Sequence, residues 1–150
     1  MEIGTQLHTF LRGKPCRVFS APFGVWLFKN KHTIVEPDLL VVCDRSKLNG
    51  KICDDAPDMV VEILSPSNER HDTFVKFNLY FQAGVKEYWI VSPDENAIMV
   101  YTLKEEVYAA KTYIYPEAET FQVGILPGLE IDLRLIFETG QGAVNQHDDI

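Results

Sequence analysis

Cysteine is scarce in this chain: Cys16, Cys43 and Cys53 are the only three, and no two of them form a CxxC pair. An odd, scattered set of this kind points to reduced thiols in a cytoplasmic protein rather than to a disulfide framework. Long hydrophobic runs are missing too. None approaches the roughly 18 apolar residues of a membrane span, so no membrane association is expected. The first residues lack a basic segment followed by an apolar one, which argues against a signal peptide. Basic residues are outnumbered, 14 against 22 acidic, for a net charge of −8. That balance disfavours a broad nucleic-acid-binding surface but leaves room for a local basic groove. No internal repeat, low-complexity tract or interdomain linker is visible, which excludes solenoid and tandem-domain organisations.

Hydrophobic residues make up 46% of the 150-residue chain and aromatics 11%, enough for a folded core and too much for a disordered segment. The length suits one domain, expected over residues 1–139, with 140–150 as a polar, frayed tail.

The most informative stretch is Ala56–Gly84. The run Met59-Val60-Val61-Glu62-Ile63-Leu64, closed by Ser65-Pro66-Ser67, predicts a strand covered on both faces. One acid, Glu62, interrupts it, and a carboxylate in such a place is costly unless a metal, a lysine or hydrogen bonds compensate it. A helix follows, with Ser67 or Asn68 as N-cap, Glu69 in its first turn and Gly84 as the residue that ends it. Phe74, Phe77 and Phe81 recur at helical spacing and are expected in the core. Asp72, Lys76 and Tyr80 lie on another side at i, i+4 and i+8. That series either aims a side chain at Glu62 or leaves Asp72 and Lys76 as a solvated ion pair.

Upstream, Glu2–Arg12 reads as a short helix with Ile3, Leu7, Phe10 and Leu11 on one face. Cys16–Phe19 and Ala21–Phe28 read as strands, and Lys29–His32 as a turn. Pro37 cannot donate to a ladder and marks a strand start, so Asp38 stands at the mouth of the apolar strand Leu39–Cys43. Asp44–Asp55 reads as a polar loop. Downstream, Lys86–Val91 is a strand, Ala97–Leu103 its hairpin return, and Val107–Tyr115 a further meander strand. Thr120–Val123 is short and extended, and Asp132 caps a short helix ending at Phe137.

Two acids on apolar strands, Asp38 and Glu62, with a lysine near, match what metal-assisted phosphodiester hydrolysis requires. Hard oxygen ligands suit Mg²⁺, which retains several waters and activates one of them, while a lysine steadies developing negative charge. Taken singly, each acid has a blander explanation: Asp38 as a turn aspartate after proline, Glu62 as an exposed strand-edge residue.

The combination carries more than its parts. Glu36-Pro37-Asp38-Leu39-Leu40-Val41-Val42, the stretch Ala56–Ser67, the series Asp72, Lys76 and Tyr80, the strand Gly84–Val91 and the closing Leu126–Leu133 together resemble the Uma2 (DUF820) family, over about residues 18–137. The resemblance implies a restriction-endonuclease-like fold of the PD-(D/E)XK superfamily, with a mixed central β-sheet flanked by helices in an α/β (α+β) arrangement. It also implies Mg²⁺-dependent hydrolysis of DNA, with Mn²⁺ as a substitute. Asp38 and Glu62 match the two acids of the motif and would be the metal ligands. The motif's lysine position, two residues after Glu62, holds Leu64. The resemblance offers Lys76 as a migrated catalytic lysine, with Asp72 and Tyr80 in support. Asp58, beside Pro57, is a structural residue despite its PD spelling.

Similar proteins carry a longer N-terminal region, so this chain reads as shortened at that end. A shortened end would leave apolar sheet surface uncovered, from which a homodimer is expected. The competing function is a catalytically inactive interaction or regulatory module on the same fold, favoured by the acidic balance and the missing strand lysine.

Overall fold

The computed structural model describes residues 2–28, 33–65 and 70–138, with the backbone alone for 70–72. The expected turn at 29–32, the caps at Ser67, Asn68 and Glu69, and the 140–150 tail lie outside the described residues, as does the Asp72 side chain.

The chain opens with helix α1 (Glu2–Leu11), whose Ile3, Leu7 and Leu11 are buried at helical spacing. Strands β1 (Arg17–Ser20), β2 (Gly24–Phe28), β3 (Thr33–Val35), β4 (Leu39–Val42), β5 (Ile52–Asp54) and β6 (Met59–Ile63) follow, then helix α2 (Arg70–Ala83). After it come β7 (Glu87–Ser92), β8 (Ala97–Lys104), β9 (Val107–Ile114), β10 (Thr120–Gln122) and β11 (Glu130–Asp132), and a π-helical turn at Arg134–Glu138.

Six strands form the main sheet in the order β1-β4-β6-β7-β8-β9. β6 and β7, joined through α2, run parallel, and the other neighbours run antiparallel. The sheet is therefore mixed, with β6 and its Glu62 near the centre rather than at an edge. Side chains alternate across it. Leu39, Val41, Met59, Val61, Trp89 and Val91 pack towards α1 and the C-terminal segment. Leu40, Val42, Val60, Tyr88 and Ile90 pack towards α2 and the small sheet β3-β2-β5. Covering both faces is why β4 and β6 read as unbroken apolar runs.

α2 ends in a double hydrogen-bonded cap. The Val85 amide donates to the Tyr80 carbonyl and the Gly84 amide to the Phe81 carbonyl, both at 3.1 Å. Gly84 takes φ +82°, the left-handed conformation that this cap requires and glycine adopts freely. The last turn of the helix, which carries Tyr80, is closed in this way.

Four expectations need correction. Cys16 and Cys43 are joined in a disulfide, leaving Cys53 as the free cysteine. The β1–β4 register, Arg17 opposite Val42, sets Cys16 across from Cys43, and a separation of 27 residues gives no hint of that. Burial pushes the Cys53 thiol up to about 11. Phe74 is 67% exposed, because the buried side of α2 is centred on Phe77, Tyr80 and Phe81 instead. The segment 44–55 is not all loop: Ile52–Asp54 pairs in parallel with β2 and buries Cys53. Last, the expected helix from Asp132 starts later, since Glu130–Asp132 pairs with β10 before the π-helical turn begins.

Candidate active site

Asp38 and Glu62 are brought together by strand register. β4 and β6 are antiparallel, with Leu39 opposite Val61, so the next step outward sets Asp38 across from Glu62. Cross-strand partners share one face of a sheet. Asp38 Oδ2 accepts a 2.7 Å hydrogen bond from the Ile63 amide, which fixes its carboxylate at the end of β6. The Asp38 carbonyl accepts from the Ala21 amide at 3.0 Å, tying the same residue to the end of β1.

Glu62 is 7% exposed. Its Oε2 accepts a 2.7 Å bond from the Tyr80 hydroxyl and lies 3.5 Å from Lys76 Nζ. Both partners stand one turn apart on α2, so the series Lys76, Tyr80 is the side of the helix facing the acid. Lys76 keeps 29% of its side chain accessible while its ammonium pairs with Glu62. Burial raises the Glu62 pKa, opposed by the Tyr80 hydrogen bond and the Lys76 charge and reinforced by the nearby charge of Asp38. Burial, together with the adjacent Glu62 charge, pushes the Tyr80 phenol far up, so it acts as a neutral donor.

Leu64, where the motif's lysine would stand, packs against the α2-side core, and its amide donates to the Val91 carbonyl at 2.8 Å. Asp58 is held structurally: Oδ2 accepts from the Cys43 amide at 2.6 Å and Oδ1 pairs with Lys86 at 3.3 Å. Among the described residues no group of three or more His, Cys, Asp or Glu side chains is arranged to hold a metal. Asp38 and Glu62 are a two-carboxylate set, which suits an ion that keeps most of its waters and does not suit a fully caged one.

Asp38 also borders a cleft of about 720 Å³ between α1 and β1, whose lining includes Thr5, Thr9, Ser20 and Arg12. A second acid escaped sequence reasoning altogether. Glu87 is fully buried on the opposite, α1-facing side of the sheet, accepting from Trp89 Nε1 at 2.7 Å. Burial raises its pKa as well. It sits among packing residues, one position before Tyr88, and only the β7 alternation beside Trp89 could have flagged it.

The family model for Uma2, described as "Putative restriction endonuclease", matches residues 1–134. The chain belongs to the Uma2 family. A solved structure described as a "putative nuclease belonging to DUF820", from Anabaena variabilis ATCC 29413, is similar in fold, with a TM-score of 0.72 at 18% identity. The match covers 91% of this chain and 76% of that one. No curated protein matches. The Uma2 match gives the chain a nuclease-like family setting, and the solved structure shares its mixed α+β fold.

Proposed function

We propose that this Uma2 protein is a divalent-metal-dependent DNA endonuclease whose site is Asp38, Glu62 and Lys76, with Tyr80 in support. The observation that carries the reading is Glu62. A carboxylate in the middle of an apolar strand, opposite Asp38 and gripped by Tyr80 and Lys76, has no packing purpose that an apolar side chain would not serve better.

Asp38 and Glu62 would hold the ion, Mg²⁺ or in its place Mn²⁺. When bound, it would neutralise charge on the scissile phosphate and make a bound water more acidic. The chain's own contribution is positional. The Ile63 amide fixes one Asp38 oxygen and leaves the carboxylate aimed from the strand end. Tyr80 fixes Glu62 without competing for a proton. Lys76 supplies a cation beside Glu62 to steady charge that develops on the phosphate. Asp72 is a further supporting candidate through its place one turn before Lys76.

Plasmid nicking with Mg²⁺ tests this. Wild-type protein should nick, and Glu62→Gln and Lys76→Ala should not. Nicking that survives Lys76→Ala at the wild-type rate would remove Lys76 from the site.

The inactive interaction module has one specific observation in its favour: Lys76 already neutralises Glu62, as it would in a purely structural ion pair. Wild-type protein that neither nicks DNA nor is stabilised by Mn²⁺ would favour that module, since a ligand that binds the native state alone must stabilise it.

A homodimer and a cytoplasmic setting belong to the same proposal, the latter without the reduced-thiol argument, which the Cys16–Cys43 disulfide removes. The sheet face expected to be bare is covered by α1, so self-association would instead use exposed apolar residues such as Phe74, Val107 and Ile114. Among the described residues no helix is long and apolar enough to cross a membrane. Sedimentation, and a thiol count on protein taken directly from cells, test the two points.

A further inference from the structure

Two clefts meet along the side of α1. One, of about 690 Å³, is lined by Arg12, Lys14, Arg17 and Arg45. The other, of about 720 Å³, ends at Asp38. They share His8, Arg12, Val18 and Phe19 and so form one continuous groove. Its charge is opposite to that of the chain. With 22 acids against 14 bases overall, the groove gathers four permanent cations and a single acid, Asp38, at one end. Among the described residues none of these four cations is in an ion pair. Two of them are held in place by neutral partners. Lys14 Nζ donates to the Phe10 carbonyl at 2.8 Å and sits 4.1 Å from the centre of the Phe10 ring. Arg45 Nε donates to the Pro15 carbonyl at 3.4 Å. The Cys16–Cys43 disulfide joins the two segments that carry Arg17 and Arg45, each within two residues of one of its cysteines.

We propose that this groove binds the sugar–phosphate backbone of duplex DNA along edge strand β1, beside the strand end that carries Asp38. The proposal rests on the nuclease reading and holds the duplex next to that site. Cations left without acidic partners in an acidic protein are what a polyanion requires. At physiological salt, charges further than about 8 Å are largely screened, so the local basic lining outweighs the distant acids. Thr5, Thr9 and Ser20, which line the same cleft as Arg12 and Asp38, are hydroxyl residues of the kind that position phosphates. None of these contacts reads base edges, so the groove would bind without sequence preference.

The test is fluorescence anisotropy with a short labelled DNA duplex over a range of salt concentrations, in EDTA so that nothing is cleaved. The combined variant Arg12→Ala, Arg17→Ala, Arg45→Ala should bind at least about tenfold more weakly, with a log–log salt slope flatter by about 2.7, at about 0.9 per lost phosphate contact. Arg12→Gln alone should flatten it by about 0.9, and this guards against misfolding of the triple variant. Lys104→Ala with Lys111→Ala, at the far edge of the sheet, should bind like wild type. Wild-type affinity and slope in the triple variant would overturn the proposal, as would wild-type protein that binds no duplex at low salt. An RNA duplex bound more than tenfold tighter than DNA would overturn DNA as the occupant. Asp38→Asn separates the two readings. It should bind DNA at least as well as wild type yet fail to nick. Normal nicking by Asp38→Asn beside lost binding in the triple variant would sink the catalytic site and leave the groove standing; the reverse pattern would do the opposite.

Discussion

The Tyr80 hydroxyl donates a 2.7 Å hydrogen bond to Glu62 Oε2 inside the core, joining the last turn of α2 to the centre of the main sheet. Removing that donor leaves a buried carboxylate less satisfied. Tyr80→Phe should cost about 1.5–3 kcal/mol, the range for hydrogen bonds to charged groups. It should also raise the Glu62 pKa further, because this bond is the largest influence holding it down. Protons then compete better for the carboxylate, so Mn²⁺ affinity should fall at neutral pH and recover as pH rises. Denaturant unfolding and metal titration at two pH values check both effects.

Glu62 itself predicts a pH dependence. Its folded pKa lies above the ordinary value of 4.5, raised mainly by burial, so the folded state holds this proton more tightly than the unfolded chain does. Stability from Glu62 is therefore greatest below its ordinary pKa. It falls as pH climbs from there through the raised folded value and is level beyond. Glu62→Gln lacks this loss, so without metal it should gain on wild type as pH rises. Urea midpoints at pH 4 and pH 8 measure the difference. A gap between the two proteins that does not change with pH would show that Glu62 is not desolvated.

Two phenylalanines three residues apart on α2 should behave differently. Phe77 stacks edge-on against Tyr101 and Tyr108 at centroid distances of 4.8 and 5.4 Å. It is only partly buried, so Phe77→Ala should cost about 2–3 kcal/mol, below the full range for a buried ring. Phe74→Ala, at an exposed position, should stay within about 0.5 kcal/mol. Chemical denaturation of both variants decides.

The Cys16–Cys43 disulfide closes a loop of 27 residues. Chain-entropy reasoning assigns a loop of that size about 3–4 kcal/mol. Cys16→Ser, or strong reductant, should lower stability by that amount. An unchanged denaturation midpoint in reductant would show that the two thiols are not joined in solution.

The sequence made the framework of the site legible because Asp38 and Glu62 interrupt or open otherwise apolar strands, and polar residues in such runs stand out. The helix end at Gly84 was equally plain. Three things were hidden for physical reasons. The disulfide depends on β1–β4 register, which no local pattern encodes. Phe74 shares the spacing of Phe77 and Phe81, and periodicity cannot say where a helix's buried side stops; Tyr80 took that place by reaching Glu62. β5 is three residues long, and Ile52-Cys53-Asp54 within a charged stretch offers no alternation to detect. The basic groove escaped for a similar reason. Arg12, Lys14, Arg17 and Arg45 are scattered in sequence and gathered only when α1, β1 and the segment after β4 meet.

The account turns on Asp38 and Glu62 forming one divalent-metal site, and calorimetric titration of Mn²⁺ into wild type, Asp38→Asn and Glu62→Gln at pH 8 tests that most directly. We expect saturable binding to wild type, weakened by more than the 10–100-fold scale of outer-shell changes in either variant. Wild-type protein that takes up no Mn²⁺, or variants that bind it as tightly as wild type does, would contradict the account.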